Sequence, residues 1–425
     1  MSNDAGAPEE RATYRALLAV GEYRALFGAA ALSWIGDYLA RAAVTALVYR
    51  DTHSAILAGA AFAIGYLPAI VGGPVLAALA ERHPRRRVMI TCDLGRLVPT
   101  VLIAVPGVPV SAMLALLFAS ALLSPPFDSA RSALLPQLLK GDLYVLGVTV
   151  QQTTAQTTQI AGYALGGAIA AYDPRVAIAL NAATFGVSAL LLARGVRPRT
   201  VVQAERAHLL SETAAGFRVV FGDPLLRSIA LTMFAVVAFA IVPEGIAVAW
   251  AGHLGAGALG QGLIMAAQPL GTAVGGIVLV RLLRPETRRA LIVPLALVPP
   301  LVLPVALLDP SLPGVVAISL AGGLAMAGIA GPANALFVQV LPAAYRARAF
   351  GVMQGGLQIA GGIGVLTVGA LAGPLGLTTA VALWGAVGVL LTTAIGLSWP
   401  SIPAPPSTAP PPTPSPQPTT NTPTP

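Results

Sequence analysis

Cysteine and charge are what this sequence has least of. Its 425 residues include one cysteine, Cys92, which excludes an intrachain disulfide and any CxxC motif. Only 10% of the residues are charged, whereas soluble domains carry about 25%. A Walker loop, an H-E-x-x-H helix and a G-x-S-x-G elbow are also missing from the sequence. The composition therefore excludes an ordinary soluble domain, and no motif predicts an enzyme or a cofactor.

Apolar residues, by contrast, are abundant. They make up 56% of the chain, and the mean hydropathy is +0.78. Because a helix needs about 20 apolar residues to cross a bilayer, the length leaves room for about twelve crossings. The polar, acidic start of the chain predicts no cleavable signal peptide. The predicted spans are 26–49, 55–80, 88–107, 110–135, 144–172, 175–193, 228–252, 257–283, 290–308, 313–341, 347–373 and 377–398.

Arginine is concentrated in every second turn between these spans. The turn after the second span reads ERHPRRR, whereas Pro106–Pro109 and Gly373–Gly376 carry no charge. An arginine at the membrane centre costs about 2.5–3.5 kcal/mol, and basic turns mark the cytoplasmic side. We therefore expect both termini in the cytoplasm. The net charge of +8 is explained by these turns rather than by a nucleic-acid surface, because the arginines do not share one soluble face.

An internal repeat divides the chain into two halves. At an offset of 203 residues, Arg85 and Arg86 fall on Arg288 and Arg289. Parallel repeats related by an axis along the membrane normal are one architecture of secondary transporters. The predicted organisation is a cytoplasmic segment (1–23), a six-helix bundle (24–194), a cytoplasmic linker whose amphipathic helix has Phe217, Val220 and Phe221 on its apolar face (195–226), a second six-helix bundle (227–399) and a disordered tail rich in proline, threonine and serine (400–425). The tail is predicted to be solvated, with a ligand for a proline-binding domain as the alternative.

The turn between the second and third spans carries a further motif. Residues 77–86 read AALAERHPRR, and they resemble the pattern G-x-L-A-D-R-x-G-R-[RK] of the major facilitator superfamily, with Ala77, Glu81 and Pro84 as departures. The segments DSARSALLP and RARAFG resemble two further motifs of that family. The resemblance covers about residues 24–398. It implies an all-α membrane fold of twelve helices in two pseudosymmetric six-helix bundles, most similar to multidrug, macrolide and siderophore exporters.

The resemblance also implies a network of charges at the cytoplasmic side that breaks and re-forms during transport. Two of its carboxylate–arginine pairs are spaced i,i+3 on their helices. For Arg96 and Arg131 the alternative is that each extends from a helix end towards water. The candidate gating network consists of Glu81, Arg82, Arg85, Arg86, Asp93, Arg96, Asp128 and Arg131.

Charges inside the apolar spans are the strongest functional signal, since each is costly unless it faces a cavity or a partner. Asp37 and Arg41 are spaced i,i+4 in the first span, which allows an ion pair within the helix. Glu244 lies in the seventh span between Pro243 and Gly245, where a kink is expected. Pseudosymmetry predicts that Arg41 and Glu244 face each other. Our hypothesis is that Glu244 or Asp37 carries a coupling proton; a static ion pair between the halves is the alternative.

The fifth span contains an unusual polar stretch, QQTTAQTTQIAGYALGG. Gln152, Gln156 and Gln159 recur on one helix face, where they either line a wet path or bridge packed helices. The glycines in this stretch resemble a partial antiporter signature, although close helix packing is the favoured interpretation. They are Gly162, Gly166 and Gly167.

Together these features predict a proton-coupled exporter of amphipathic or hydrophobic small molecules, monomeric and multi-pass, in a bacterial inner membrane. Its expected partners are the transported molecule, protons and membrane lipids, with no nucleic acid and no metal. Three alternatives remain open: an importer of the same fold, a lipid or lysolipid transporter, and a membrane scaffold that transports nothing. A scaffold would tolerate neutralisation of the charges inside the spans, and the proline-rich tail is the feature that favours it.

Overall fold

Backbone polar groups in a bilayer must be satisfied within their own segment, so a chain of this composition folds into helices. The computed structural model describes residues 13–67, 76, 82–199 and 209–400, and every regular element in them is helical. Within these described residues, seven helical segments are long and apolar enough to cross a membrane by length and composition. The first half contains α1 (Tyr14–Ala19), α2 (Gly21–Thr52), α3 (Ala55–Ala63), α4 (Arg85–Ala104), α5 (Val110–Ala121), α6 (Ser124–Leu138), α7 (Gly141–Tyr172) and α8 (Pro174–Gly195).

A linker helix, α9 (Leu209–Gly222), leads into the second half. That half contains α10 (Pro224–Ala240), α11 (Val242–Gly245), α12 (Ala247–His253), α13 (Gly257–Leu282), α14 (Pro285–Ala290), α15 (Ile292–Ala296), α16 (Val298–Val302), α17 (Leu312–Val340), α18 (Arg346–Leu375) and α19 (Leu377–Leu397). Short 3-10 turns lie at Leu303–Leu308 and Ala343–Tyr345.

These helices form the twelve predicted passes in two halves, with the second pass described as a continuous segment only to residue 67. Three passes are interrupted where one helix was predicted. The fourth breaks between α5 and α6, just before Pro125 and Pro126, and the seventh breaks around Pro243. The ninth, which contains Pro294 and Pro299, consists of short pieces. Proline cannot donate the helical hydrogen bond and clashes with the preceding turn, which explains these breaks.

The two ends of the molecule differ in charge. We name the end that carries Arg85, Arg194 and Arg284 the arginine end, and the end that carries His53 and His253 the histidine end. At the histidine end, Nε2 of His253 lies 2.8 Å from Oδ1 of Asp309, so this exposed histidine has an acidic partner.

The two halves pack against each other towards the histidine end. A cluster of buried side chains there includes Phe62 and Tyr163 from the first half and Phe239 and Trp250 from the second. Helices α3 and α18 approach so closely that a Cβ atom added at Gly369 would lie 3.2 Å from Cα of Ile56. Towards the arginine end, by contrast, a Cβ at Gly276, Gly351 or Gly355 would meet no described atom within 4 Å. Among the described residues, the contacts therefore close the histidine end.

Helix α9 lies within the predicted linker, and part of its predicted apolar face packs on the second half. Val220 is 0% exposed and belongs to a buried cluster of the second half, whereas Phe217 is 56% exposed. A Cβ at Gly216 would lie 2.7 Å from the carbonyl oxygen of Arg348, so α9 packs tightly on α18. The helix is therefore bound to the second half through its backbone and through Val220.

Candidate functional site

The first half contains a buried polar network centred on Arg96. Nη2 of Arg96 lies 2.6 Å from Oδ1 of Asp93 one turn earlier on α4, and Ser188 on α8 donates a hydrogen bond of 2.6 Å to Oδ2 of that carboxylate. Asp93 is 0% exposed and Arg96 is 3% exposed. A buried ion pair is stable only when further hydrogen bonds satisfy it, as Ser188 does here. Arg96 therefore does not extend from a helix end into water, which was the alternative interpretation.

Asp37 joins this network instead of pairing within its own helix. Its Oδ2 lies 3.6 Å from Nη1 of Arg96, whereas the spacing on α2 suggested Arg41 as the partner. The Asp37 side chain is 37% exposed, because it faces a cavity of about 130 Å³ inside the first half. The cavity lies beside the break between α5 and α6, and Arg41 and Asn181 also line it. A carboxylate, two arginines and an amide thus surround a space large enough for water.

Arg41 is held by aromatic rings. Its guanidinium carbon lies 5.4 Å from the centre of the Phe62 ring, 5.5 Å from Tyr66 and 5.9 Å from Tyr38. Cations over ring faces at such distances are stabilised by the ring quadrupole. Arg41 and Glu244, which pseudosymmetry predicted to face each other, form no ion pair among the described residues.

Glu244 is instead linked to the first half through tyrosines. It lies in α11, at the predicted kink, and is 1% exposed. The hydroxyl of Tyr163 on α7 donates a hydrogen bond of 2.6 Å to Oε1 of Glu244, while Oε2 has no hydrogen-bond partner among the described residues. The Tyr163 ring packs edge-on against Tyr38, 5.1 Å between centres. A continuous path of contacts therefore runs from Arg41 through two tyrosines to Glu244.

Two other arginines of the predicted gating network, Arg85 and Arg86, bind backbone carbonyls rather than carboxylates. Arg85 donates to the carbonyl of Ala133, and Arg86 donates to the carbonyls of Leu192 and Ala193 near the end of α8. The last carbonyls of a helix lack partners of their own, so Arg86 caps the end of α8, whereas Arg85 binds a carbonyl within α6.

Two further members of that network add no contact that the structure describes. Arg82 is exposed, and Glu81 lies outside the described residues. The termini whose cytoplasmic location the sequence predicts, at 1–12 and 401–425, also lie outside them.

The second predicted pair forms a separate group of contacts near the arginine end. Nη2 of Arg131 lies 3.2 Å from Oδ1 of Asp128, and its Nη1 donates a hydrogen bond of 2.5 Å to Oε1 of Gln151. The guanidinium also lies 4.9 Å from the centre of the Trp34 ring. This group connects α2, α6 and α7. The two i,i+3 pairs are thus present, in two separate groups.

The polar face of α7 differs in detail from the prediction. Gln151, which the spacing did not single out, is the buried amide, whereas Gln152 is exposed and Gln156 and Gln159 are half-buried. The exposed hydroxyl of Thr153 donates to the carbonyl of Thr149 on its own helix. The glutamine amides of this face, and the lone pairs of its exposed threonine hydroxyls, can therefore hydrogen-bond water or a solute.

The glycines of α7 allow close helix packing. A Cβ at Gly162 would lie 2.6 Å from Cβ of Tyr38, and a Cβ at Gly166 would lie 2.7 Å from the carbonyl of Leu39. A Cβ at Gly167 would lie 2.6 Å from Cα of Gly262 on α13, in the other half. Small residues at such positions let backbones approach each other.

No group of three or more metal-binding side chains lies among the described residues.

Comparison with known proteins decides the family. The family model of the Major Facilitator Superfamily matches residues 26–244, just over half of the chain. The chain belongs to the major facilitator superfamily. It is therefore a multi-pass membrane transporter, as the predicted fold class implied.

Individual relatives agree with this assignment. The uncharacterized MFS-type transporter YfiS of Bacillus subtilis (strain 168) is 30% identical over 169 residues, which are 39% of this chain and 40% of the relative. The nucleoside transporter NupG is similar with a TM-score of 0.66 and 14% identity over 88% of this chain and 99% of that one. A POT family transporter in complex with 5-aminolevulinic acid gives a TM-score of 0.68 and 13% identity, over 88% and 95% of the two chains. At such identities the two structures show a shared fold alone.

Several residues of the site were not predicted from the sequence. The sequence did not single out Tyr163, Ser188, Gln151 or Gln261. A signal existed for Gln261, because an amide within an apolar run is costly without a partner. For Tyr163 and Ser188 no pattern in one sequence identifies the partner, since each bonds to a residue 81 or 95 positions away.

Proposed function

We propose that this chain exports amphipathic or hydrophobic small molecules in exchange for protons. It works by alternating access, as a monomer, with the arginine end towards the cytoplasm of a bacterial inner membrane. The observation that carries the proposal is the position of Glu244, buried between the halves and bonded through one oxygen to Tyr163. A buried ionised carboxylate is costly without a counter-charge. The charge state of Glu244 and the contact between the halves therefore depend on each other.

This dependence is what coupled transport requires. Opening the histidine end separates α7 from α11, which breaks the hydrogen bond from Tyr163 and admits water to Glu244. Closing it removes the water and restores the bond. A ligand or proton shifts such an equilibrium only if it binds one state more tightly than the other. The surroundings of Glu244 differ between the closed and open states, so its affinity for a proton differs between them.

The buried charges also bear on the class of substrate. Arg96 is paired with two carboxylates, and Arg41 is covered by three aromatic rings. Arg96 is therefore not a free cation of the kind that would recognise a phosphate or a carboxylate group, and Arg41 already lies over ring faces. An uncharged or cationic amphipathic molecule fits these surroundings better than an anion.

The test is efflux of amphipathic dyes and drugs from cells, with and without a proton uncoupler. We expect uncoupler-sensitive export by the wild type and its loss in Glu244→Gln at matched expression. Glu286→Gln, which neutralises an exposed acid at the arginine end, is the control and should export normally. If Glu244→Gln still exports, the coupling role would be assigned to Asp37 instead. If the uncoupler does not reduce export by the wild type, proton coupling would be overturned.

A second candidate function is uptake of a polar, uncharged solute. The exposed amide of Gln152 and the neighbouring threonines on α7 favour it, because they can hydrogen-bond a solute in water. Structures that share the fold include a nucleoside transporter and a POT family transporter. Accumulation of labelled nucleosides by cells, lost in Gln152→Leu, would favour uptake over export.

A further inference from the structure

Gln261 on α13 reaches across to the other half. Its side chain is 1% exposed, and its Nε2 donates hydrogen bonds of 2.8 Å to the carbonyl oxygen of Ala42 and of 2.8 Å to Oγ1 of Thr45, both on α2. A weaker contact of 3.5 Å joins Nε2 to Sδ of Met265 on its own helix. Oε1 of Gln261 has no partner among the described residues. The two oxygen acceptors of the amide therefore both belong to the opposite half.

The receiving side is oriented to accept these bonds. Thr45 Oγ1 lies 2.9 Å from the carbonyl of Ala42 and 3.0 Å from that of Arg41, to which its own hydrogen can be donated. Its lone pairs are then free for Gln261. The next residue, Gly262, is in backbone contact with Gly167. Separation of α13 from α2 and α7 at this point therefore breaks the close backbone contact together with both hydrogen bonds of the Gln261 amide.

We propose that Gln261 is a latch residue that holds the histidine end closed. The inference deepens the proposed function, because it rests on alternating access, but not on the identity of the substrate or on protons. Opening the histidine end breaks the hydrogen bond between the amide of Gln261 and the carbonyl of Ala42. The two bonds thus set part of the balance between the closed and open states of that end.

The chain contains a matched control on the same helix. Gln268, two turns after Gln261, is also buried, at 6% exposed. Its Nε2 lies 3.3 Å from Sδ of Met326, which is in its own half. Gln268→Leu removes a buried amide from α13 without changing a contact between the halves.

The experiment measures distances between spin labels in the purified full chain. The background is Cys92→Ala, which removes the single cysteine. Tyr172→Cys and Leu308→Cys place one label in each half at the histidine end, at side chains that are 91% and 79% exposed. Lys140→Cys and Leu282→Cys form the corresponding pair at the arginine end.

We expect Gln261→Leu to increase the fraction of long distances at the histidine end by about tenfold, since two hydrogen bonds are lost. Gln268→Leu should match the parent. Thr45→Val should give a smaller shift of the same sign, and adding it to Gln261→Leu should add less than its own effect.

The opposite results would overturn the latch. Distances in Gln261→Leu that match those of Gln268→Leu would do so, and so would full additivity with Thr45→Val. If Gln261→Leu misfolds, the response of Thr45→Val alone decides the question. If the wild type shows no proton-coupled export but Gln261→Leu still shifts the distances, the proposed function is contradicted and the latch is supported.

Discussion

Tyr163 and Glu244 lie 81 residues apart in the chain, yet a hydrogen bond of 2.6 Å joins them across the two halves of the molecule. Both side chains are buried, at 0% and 1% exposed. Hydrogen bonds to charged groups are worth about 1.5–3 kcal/mol, which exceeds the usual value for neutral pairs. This single contact therefore connects the ionisation of a membrane-buried carboxylate to the closure of the histidine end.

Tyr163→Phe should reduce uncoupler-sensitive efflux by about tenfold or more, because the carboxylate loses the one hydrogen-bond donor that the described residues provide. It should also displace the pH at which efflux is half-maximal, a change that a purely structural role would not produce. Tyr38→Phe, which preserves the edge-on ring contact, is the control. Equal efflux and equal pH profiles in the three proteins would contradict a coupling role for the Tyr163 hydroxyl.

Gly167→Ala should open the histidine end. The added Cβ would lie 2.6 Å from both the carbonyl oxygen of Ala258 and Cα of Gly262, so α7 and α13 must separate. Gly276→Ala is the matched control, since a Cβ there meets no described atom within 4 Å. Alanine favours a helix over glycine by about 1 kcal/mol, so any loss from Gly167→Ala cannot come from helix propensity. The distance between labels at Tyr172 and Leu308 checks the prediction, and an unchanged distance would contradict it.

The sequence predicted the fold better than the site. Long apolar spans and arginine-rich turns depend on local composition, which is why the all-helical fold of the superfamily was confirmed. The fold also confirmed the local effect of Pro243, which kinks the seventh pass. Partners across helices are another matter: Asp37 pairs with Arg96 rather than with Arg41, because which helix faces which depends on packing that no single spacing records. Arg85 and Arg86 bind carbonyls, and a backbone acceptor leaves no pattern in a sequence.

Asp93→Asn should destabilise the protein by about 3–5 kcal/mol, because Arg96 would remain buried with its main counter-charge removed. Asp37→Asn should cost less, since Asp37 lies farther from Arg96, at 3.6 Å, and its side chain is 37% exposed to a cavity. Thermal unfolding of the two variants in the same detergent measures the difference. Equal losses, or a larger loss in Asp37→Asn, would show that the Asp93–Arg96 pair is not the stabilising centre of the first half.

Glu22 should give the first half a stability that depends on pH. It lies in the first turn of α2 at the arginine end, outside the predicted span, and its Oε2 is 2.7 Å from Nη1 of Arg199. The hydrogen bond from Arg199, aided by Arg197, lowers the pKa of Glu22. A carboxylate with a lowered pKa stabilises the fold above its unfolded value of about 4.3, and that stability is lost as pH falls through the folded pKa.

Arg199→Gln should therefore lower the unfolding temperature at pH 7 by an amount that corresponds to no more than about 1 kcal/mol, as is usual for ion pairs near a surface. The difference from the wild type should shrink as the pH falls below the unfolded value of about 4.3 and disappear below the lowered pKa of Glu22, where the carboxyl is protonated in both proteins. Raising the salt concentration at pH 7 should also shrink it, because salt screens exposed pairs. Arg284→Gln, which removes an exposed arginine of the same end, is the control. A difference that stayed constant from pH 7 to pH 3 would mean that Arg199 stabilises the chain by packing and not by its charge.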